Sequence, residues 1–498
     1  VQLTFSNSRQ IAPSTVAALL EKVSKNSYGK YLKRVILKRV RGFVDREVTF
    51  DFPVTALVGP NGGGKTTVLG AAALAYADVP PGRFFAKSGK YDSSMVDWSI
   101  EHYVIDKDVD ARLEIRRSVN YPTSKWNRKP FQREVHIFGV NRTVPATERT
   151  ELQRAIGGSF AATSETKLPD VVVAESERIL GKAISGYSEL GVTKNGRTTL
   201  YAATDKSTGN QYSEFHFGAG EASVIKIVSG IELAPDNSLI LIEEIENGLH
   251  PVATRALVEY LVHVAKRKSC QVIFTTHSHA AIEALPPAAI WAAFNGQVVQ
   301  GALNIEALRT ITGRVDSKLA IFVEDKFAEL MVHTALRYYG AELSAIKVHG
   351  MGGHDPAIKV NRYHNGDPTR RYESVALVDG DQRALVDPNE QVFSLPGTVD
   401  PEAHVLDTVL AEIETVAARL TAALNLPLSD QERVKDTVRR RAQSNRDRHI
   451  IFAEIGEDLD LTAELVVQNA FLAQWAQLVP REVDEMFDPF KAMIPKHR

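Results

Sequence analysis

The sequence predicts an α/β protein built from two successive parallel-sheet domains followed by a helical C-terminal segment. Three observations lead there. A glycine-rich loop joins an apolar strand to a helical pattern within residues 55–77. Strand–helix alternation restarts near residue 318, and its strands end in acidic residues. A length of 498 residues allows two to four domains, each able to bury its own core.

Composition narrows the class. The chain is 44% hydrophobic and 24% charged, ordinary for a soluble globular protein. Its single cysteine, Cys270, excludes a disulfide framework and suits a reducing compartment. No apolar run is long enough to span a bilayer, and the N-terminus lacks a basic segment followed by an apolar one. A cytoplasmic protein without membrane contact is expected. The net charge of −2 means that a nucleic-acid partner must be held by local patches.

The stretch TALVGPNGGGKTTVLGAAALAYA (55–77) carries the first motif. Residues Gly59 to Thr66 fit G-x-x-x-x-G-K-[ST] in the strand–loop–helix context that the motif requires. Glycines let backbone N–H groups turn inward around phosphate oxygens, and the helix N-terminus adds partial positive charge. The predicted nucleotide ligands are Gly59, Asn61, Gly62, Gly63, Gly64, Lys65, Thr66 and Thr67. Lys65 reaches the β- and γ-phosphates, and Thr66 holds Mg²⁺. In SLILIEEIENGLHP (238–251), an apolar strand ends in two acids. Glu243 is placed to organise Mg²⁺ and Glu244 to orient the attacking water. Pro251 opens a helix with apolar spacing at Val252, Leu257, Tyr260, Leu261 and Val264. The following strand, CQVIFTTHS, ends in His277, a candidate γ-phosphate sensor.

Residues 30–300 therefore resemble an ABC-type P-loop ATPase of the SMC-related, AAA-like branch. The Walker A loop lies at 59–66, the Walker B strand at 239–244, a D-loop-like ENGLHP follows, and His277 stands at the switch position. The piece FHFGAGEASVIKI (215–227) resembles the ABC signature, with Gly218, Ala219, Gly220 and Glu221 in register. The resemblance implies ATP with Mg²⁺, contacts to nucleotide from Gly220 and Glu221, and sites completed across a homodimer or higher oligomer. Two departures stand out. Glu243 replaces the family's aspartate, and Gly218 replaces its signature serine. No heptad repeat runs through 80–215, so a compact insertion is expected there within an ATPase domain spanning 1–312. It includes residues 112–133, where seven Lys/Arg face one Glu and Tyr121, Trp126 and Phe131 are interleaved. That pattern suits either a backbone-tracking, base-stacking surface or a solvated hairpin over its own aromatics.

The second alternation begins with KLAIFVEDKFAEL: a strand from Leu319 to Val323, Glu324 at its tip, then a helix to about Tyr339. AIKVHGMGGHDPAIKV supplies another strand, a glycine turn and a helix start. SVALVDGDQR gives a third strand that ends in Asp379, Gly380 and Asp381. Such alternation implies right-handed βαβ units, with ligands gathering outside the carboxyl ends of the strands. Three carboxylates meeting there repel one another, and a divalent cation is the usual remedy. All-oxygen donors favour Mg²⁺ or Mn²⁺.

A glutamate after the first strand and Asp-x-Asp after a later one resemble the Toprim domain, here over 313–412. A helical extension over 413–498 is expected to pack on it. An ATPase followed by Toprim is the layout of OLD-family nucleases. The resemblance implies ATP-regulated, metal-dependent nicking or cleavage of DNA in bacterial defence against phage. Glu324, Asp379 and Asp381 would be its catalytic metal ligands. Members of the family act alone, beside helicase-like proteins or with a retron reverse transcriptase and its RNA–DNA hybrid. Among Asp400, Glu402 and Asp407 at a helix start, Glu402 best matches the family's further acid ligand. No lysine matches the family's basic residue near the scissile phosphate; Arg446 and His449 are the substitutes at hand. Residues 433–449, with seven Lys/Arg against two Asp, suit a DNA-backbone contact or a solvated helix face. An ATP-driven DNA clamp with a non-catalytic Toprim-like scaffold is the alternative. Primases and topoisomerases share the acids but need further modules, which nothing in the remaining length suggests.

Overall fold

The computed structural model describes residues 11–496 apart from 93–94, 123–124, 158–159, 194–197, 302–306, 308–316 and 369. The chain divides into two compact units, Val1–Gln300 and Gly301–Arg498. The boundary expected at 312/313 lies outside the described residues.

The first unit is built on strands β1 (Lys30–Val40), β2 (Phe43–Thr49), β3 (Val54–Val58), β4 (Trp98–Asp106), β5 (Ile115–Tyr121), β6 (Asn127–Arg128) and β7 (Val135–Phe138). Strands β8 (Glu165–Lys167), β9 (Ile184–Gly191), β10 (Thr199–Asp205) and β11 (Gln211–Ser213) follow. The unit closes with β12 (Leu239–Ile242), β13 (Gln271–Thr276), β14 (Ile290–Phe294) and β15 (Gln297–Gln300). A six-stranded sheet in the order β15-β14-β3-β13-β12-β7 is parallel except at its β15 edge. β3, β12 and β13 are buried at every residue, as expected of parallel strands covered on both faces. An antiparallel sheet, β2-β1-β4-β5-β6, shares one apolar core with it and with the helix Lys65–Ala73.

That topology corrects the expected insertion. Residues 98–138 belong to the two main sheets, because β4 pairs with β1 and β7 pairs with β12. The small sheet β11-β10-β9-β8 is distinct from those two, and the helix Asp170–Leu180 packs on the helices Ala219–Leu233 and Pro251–Lys268 as well as on β9. Val252, expected on the packed face of its helix, is 72% exposed; Leu257, Tyr260, Leu261 and Val264 are buried.

The second unit is a four-stranded parallel sheet of β16 (Leu319–Val323), β17 (Ile346–Gly350), β18 (Glu373–Val378) and β19 (Val392–Ser394), in the order β17-β16-β18-β19. β16 is buried at all five positions. Leu319, Ile321 and Val323 join one continuous core with the helix Lys326–Tyr339 and the C-terminal helices, down to Trp475 and Phe487. A smaller cluster of Ala376, Val378 and Val392, with Ile358 packed against it, lies apart from that core. The C-terminal helices are thus part of the same core as the sheet. Among the described residues, no helix is long and apolar enough to cross a membrane.

Candidate functional site

At the carboxyl end of β3 the chain turns through the glycine-rich loop into the helix Lys65–Ala73. Gly64 sits at φ 102°, and a Cβ there would lie 2.3 Å from the Phe43 ring, so both conformation and space demand glycine. The loop lines a cavity of about 290 Å³ with Arg41, Gly42, Phe43, Lys65, Thr66 and Thr67. Lys65 Nζ donates to the carbonyls of Gly59 (3.0 Å) and Pro60 (3.1 Å). Burial pushes its pKa down to about 8, against the pull of Glu244 and Glu246. Arg41, absent from the sequence expectations, donates to Thr67 Oγ1 (2.7 Å). Asn61 is exposed and stands outside this lining.

The acids after β12 are held by a frame. Arg142, 5% exposed, donates to the carbonyls of Glu243 and Glu244 (2.6 Å each) and to Ser223 Oγ (2.9 Å). Burial lowers its pKa to about 10, with Glu246, Glu243 and Glu244 opposing. Glu244 adopts φ 45°, a left-handed conformation that costs energy for a non-glycine residue. It persists because the Glu244 N–H donates to Thr275 Oγ1 (2.8 Å) and Asn247 Nδ2 donates to its Oε2 (2.7 Å). Glu246 accepts from the His277 N–H (2.6 Å) and from Thr276 Oγ1 (2.7 Å). Burial, then Lys65, hold the His277 ring below its ordinary pKa.

Gly220 and Glu221 lie outside this cavity lining. Gly220 packs where a Cβ would meet the Gly248 carbonyl at 2.2 Å. Glu221 is engaged with Lys182 Nζ (2.9 Å) and Tyr212 OH (3.0 Å). The signature helix is therefore tied to the β9–β11 sheet.

In the second unit, Glu324 ends β16 and Asp379 ends the adjacent β18. Glu324 Oε1 accepts the Asp379 N–H at 2.9 Å, and its backbone carbonyl accepts from Gly352 and Gly353. His354 Nδ1 stands 3.6 Å from Glu324 Oε2. Asp379 is 7% exposed, and its Oδ1 has no hydrogen-bond partner. Burial, then Glu324, Asp325, Glu402 and Asp381, push its pKa up to about 9. Burial also raises Glu324. Gly380 lets the backbone at Gly397 pack against the loop after β18, since a Cβ there would fall 2.8 Å from it. Asp381 is exposed and within electrostatic range of both acids.

Glu402, in the first turn of the helix Pro401–Ala411, is 3% exposed with Oε2 unpartnered. Burial, then Asp325, raise its pKa to about 7. Asp400 caps that helix through the Ala403 N–H (2.7 Å), and Asp407 is exposed. His449 Nδ1 lies 3.3 Å from Glu402 Oε1, whereas Arg446 is exposed with no recorded partner. Asp325, which the sequence reading passed over beside Glu324, caps the helix Lys326–Tyr339 through the Ala328 N–H (2.9 Å). An acid at a helix start reads as a cap, and strand order alone brings it to this cluster.

Several cations of both basic stretches are paired within the fold. Arg128 donates to the carbonyls of Leu74, Tyr76 and Val79, Arg117 stacks on Phe131, and Arg116 pairs with Glu101 at 2.5 Å. Tyr121 and Trp126 pack with each other, and Phe131 packs with Tyr76. In the second run Arg433 pairs with Asp460, Arg439 with Glu414, and Arg440 and Arg441 with Asp458.

Comparison with known proteins defines the class first. Residues 34–156 match the family model "AAA domain", and residues 153–283 match "AAA domain, putative AbiEii toxin, Type IV TA system". Joined to the phosphate-binding loop, these matches support an AAA-type P-loop ATPase fold for the first unit. The OLD-family resemblance is borne out by a curated relative, the OLD nuclease of Thermus scotoductus (strain ATCC 700910 / SA-01). It is 23% identical over 313 residues, and the match covers 50% of this chain and 59% of the relative's length. Similar solved structures include the SMC head domain from Thermotoga maritima (14% identity, TM-score 0.35, 55% of this chain and 99% of that one). Another is RecF-ATP of the RecFOR pathway (11% identity, TM-score 0.35, 55% and 99%).

Proposed function

We propose that the protein is an ATP-regulated, divalent-metal-dependent DNA endonuclease acting in bacterial anti-phage defence, with Toprim chemistry in its second unit. The observation that carries this reading is the convergence of Glu324 and Asp379 at neighbouring parallel strand ends, with a buried Asp379 oxygen left without a donor. Such a group is costly to keep unless a cation satisfies it. The all-carboxylate donor set of Glu324, Asp379 and Asp381, with Glu402 nearby, fits Mg²⁺ or Mn²⁺. A cation bound there would supply water activation and charge stabilisation at the leaving oxygen. The chain's own contribution is positional: the Asp379 N–H fixes the Glu324 carboxylate, and Gly380 lets the Gly397 backbone pack against the loop that carries Asp381.

In the ATPase unit, Lys65 exchanges its loop carbonyls for nucleotide phosphates and Thr66 faces the Mg²⁺ position. With nucleotide and Mg²⁺ bound, Glu243 would hold the metal, Glu244 would orient the attacking water and His277 would contact the γ-phosphate. Two copies would complete the sites, with the start of the signature helix towards the partner and the buried Gly220 and Glu221 supporting it from within their own chain.

The test is a plasmid-nicking time course with Mg²⁺ or Mn²⁺, with and without ATP, for wild type and Asp379→Ala. Cleavage that EDTA abolishes and that the variant lacks is expected. Equal rates for the two proteins would discard the nuclease in favour of an ATP-driven DNA clamp.

A further inference from the structure

Exposed aliphatic side chains gather around the carboxylate cluster of the second unit. Leu385, Val386, Val399 and Ile450 are four of the eight large hydrophobic residues that this unit exposes among its described residues. Leu385 ends the short turn Gly380–Leu385, which carries Asp381, and Val386 follows it. The Val399 carbonyl packs beside Gly380, where a Cβ would come within 2.9 Å of it, and Pro401 then opens the helix that holds Glu402. Ile450 is next to His449, whose Nδ1 lies 3.3 Å from Glu402 Oε1. Single exposed aliphatics need no explanation, but a set brought to one polar site by three chain segments does. Arg383, in the same turn as Leu385, and Arg446, just before His449, are also exposed, with no ion pair among the described residues.

A phosphate backbone gives aliphatic groups nothing to bind, since it is held by cations and hydrogen-bond donors. Base faces do. Leucine and isoleucine are among the side chains that wedge between base steps, and unstacking is easiest where a base already lacks its pairing partner. We propose that Leu385, Val386, Val399 and Ile450 form an apolar rim that receives unstacked bases, so that the second unit engages DNA at bulges or mismatches in preference to continuous duplex. Arg383 and Arg446 take the flanking phosphates, and bases resting on the rim hold the neighbouring phosphodiester at Glu324 and Asp379. The inference names the substrate class of the nuclease reading and rests on that reading for the cutting step alone, since the preference in binding is measured without cleavage.

The experiment compares two fluorescein-labelled duplexes that differ only by three unpaired nucleotides at the centre of one strand. Affinity of the full-length protein is read by anisotropy in Ca²⁺, and cutting rate after exchange into Mg²⁺ or Mn²⁺ with ATP. Wild type is expected to bind and cut the bulged duplex roughly tenfold better than the paired one, or more. Leu385→Ser combined with Val386→Ser should bring both ratios below roughly threefold, and Ile450→Ser, on a separate element, should lower them by about threefold. Arg383→Ala should weaken binding to both duplexes alike and leave the ratio within about twofold. These side chains are exposed, so the variants should fold, and an unchanged melting transition of the second unit checks that they do. Equal wild-type affinity for the two duplexes, or a wild-type ratio kept in both serine variants, overturns the proposal in favour of a protein partner at the rim. A protein that binds and cuts both duplexes equally keeps the nuclease and loses the rim. One that prefers the bulge through Leu385 and Val386 yet cuts neither duplex keeps the rim and loses the nuclease.

Discussion

In the nucleotide cradle the lysine ammonium rests on two loop carbonyls, and the acids opposite are held by Arg142 and Asn247 as donors and by Thr275 Oγ1 as acceptor of the Glu244 N–H. Around the ends of β16 and β18, by contrast, Asp379 and Glu402 each keep a buried oxygen without a donor, and further acids crowd them although His354 and His449 stand at the edge. The first site satisfies itself internally and has to exchange bonds to accept phosphate. The second cannot satisfy itself, so the free energy of its repulsion is available to whatever cation enters. A pre-bonded site gains selectivity from the bonds it must trade, whereas a repelling site gains affinity from relief of strain already present.

The largest effect that could break this contrast is loss of nucleotide. Lys65→Ala should weaken ATP binding by roughly 100-fold or more while leaving divalent-ion binding at the carboxylate cluster unchanged. Calorimetry on one preparation reads both, and coupled losses would merge the two sites into one. Glu244→Gln should keep ATP affinity within a few fold and slow turnover by roughly 100-fold, seen as phosphate release.

Acidification separates the units by sign. His102 in β4 donates to the Ala71 carbonyl, and burial lowers its pKa to about 4. Between pH 6.5 and 4 the unfolded chain takes up a proton that the folded chain refuses. The first unit therefore loses stability over that range, on the order of 3 kcal/mol. Buried His349 acts the same way in the second unit. Asp379 and Glu402, with pKa values raised to about 9 and 7, hold protons that the unfolded chain releases, so they gain stability as pH falls. Melting curves at pH 7.5 and 5 should show the first transition falling further than the second, and His102→Gln should shrink that fall.

Relief of the repulsion is the next smaller effect. Asp379→Asn should stabilise the cation-free second unit at pH 8 by about 1–3 kcal/mol, a rise of roughly 2–8 °C in its transition. Millimolar Mg²⁺ should raise the wild-type transition more than the variant's. A destabilised variant would show that Asp379 is better satisfied than its geometry implies.

The smallest effect concerns the run at 433–449. Its arginines already face Glu414, Asp458 and Asp460, so changing Arg439, Arg440 and Arg441 to Glu should alter the salt slope of DNA binding by less than about one contact. A clearly flatter slope would return this helix to the DNA surface.

Several elements were legible without coordinates. The strand before Glu324 runs from Leu319 to Val323 as its unbroken apolar stretch required, and the helix after it ends at Tyr339 before a left-handed Gly340. The glycine-rich loop was legible for the same reason: its ligands are contiguous and its backbone demands are written as glycines. The partners of the basic runs were hidden, because a count of charges carries no record of which carbonyls and carboxylates the fold brings opposite them. The sheet membership of 98–138 was equally hidden, since β7 enters the parallel sheet beside a strand about a hundred residues later.

The sequence by itself determined what is local: a phosphate-binding loop, acids at the ends of buried strands, and the hydrophobic patterns that make two α/β units. Tertiary structure decided which distant groups meet. Arg142 beneath the Walker B carbonyls, and Asp325 and His449 around Glu402, follow from strand order and helix placement. The physical reason is that a contiguous motif keeps its spacing in any fold, whereas convergence of separated residues exists only once parallel strands have been paired in a particular order.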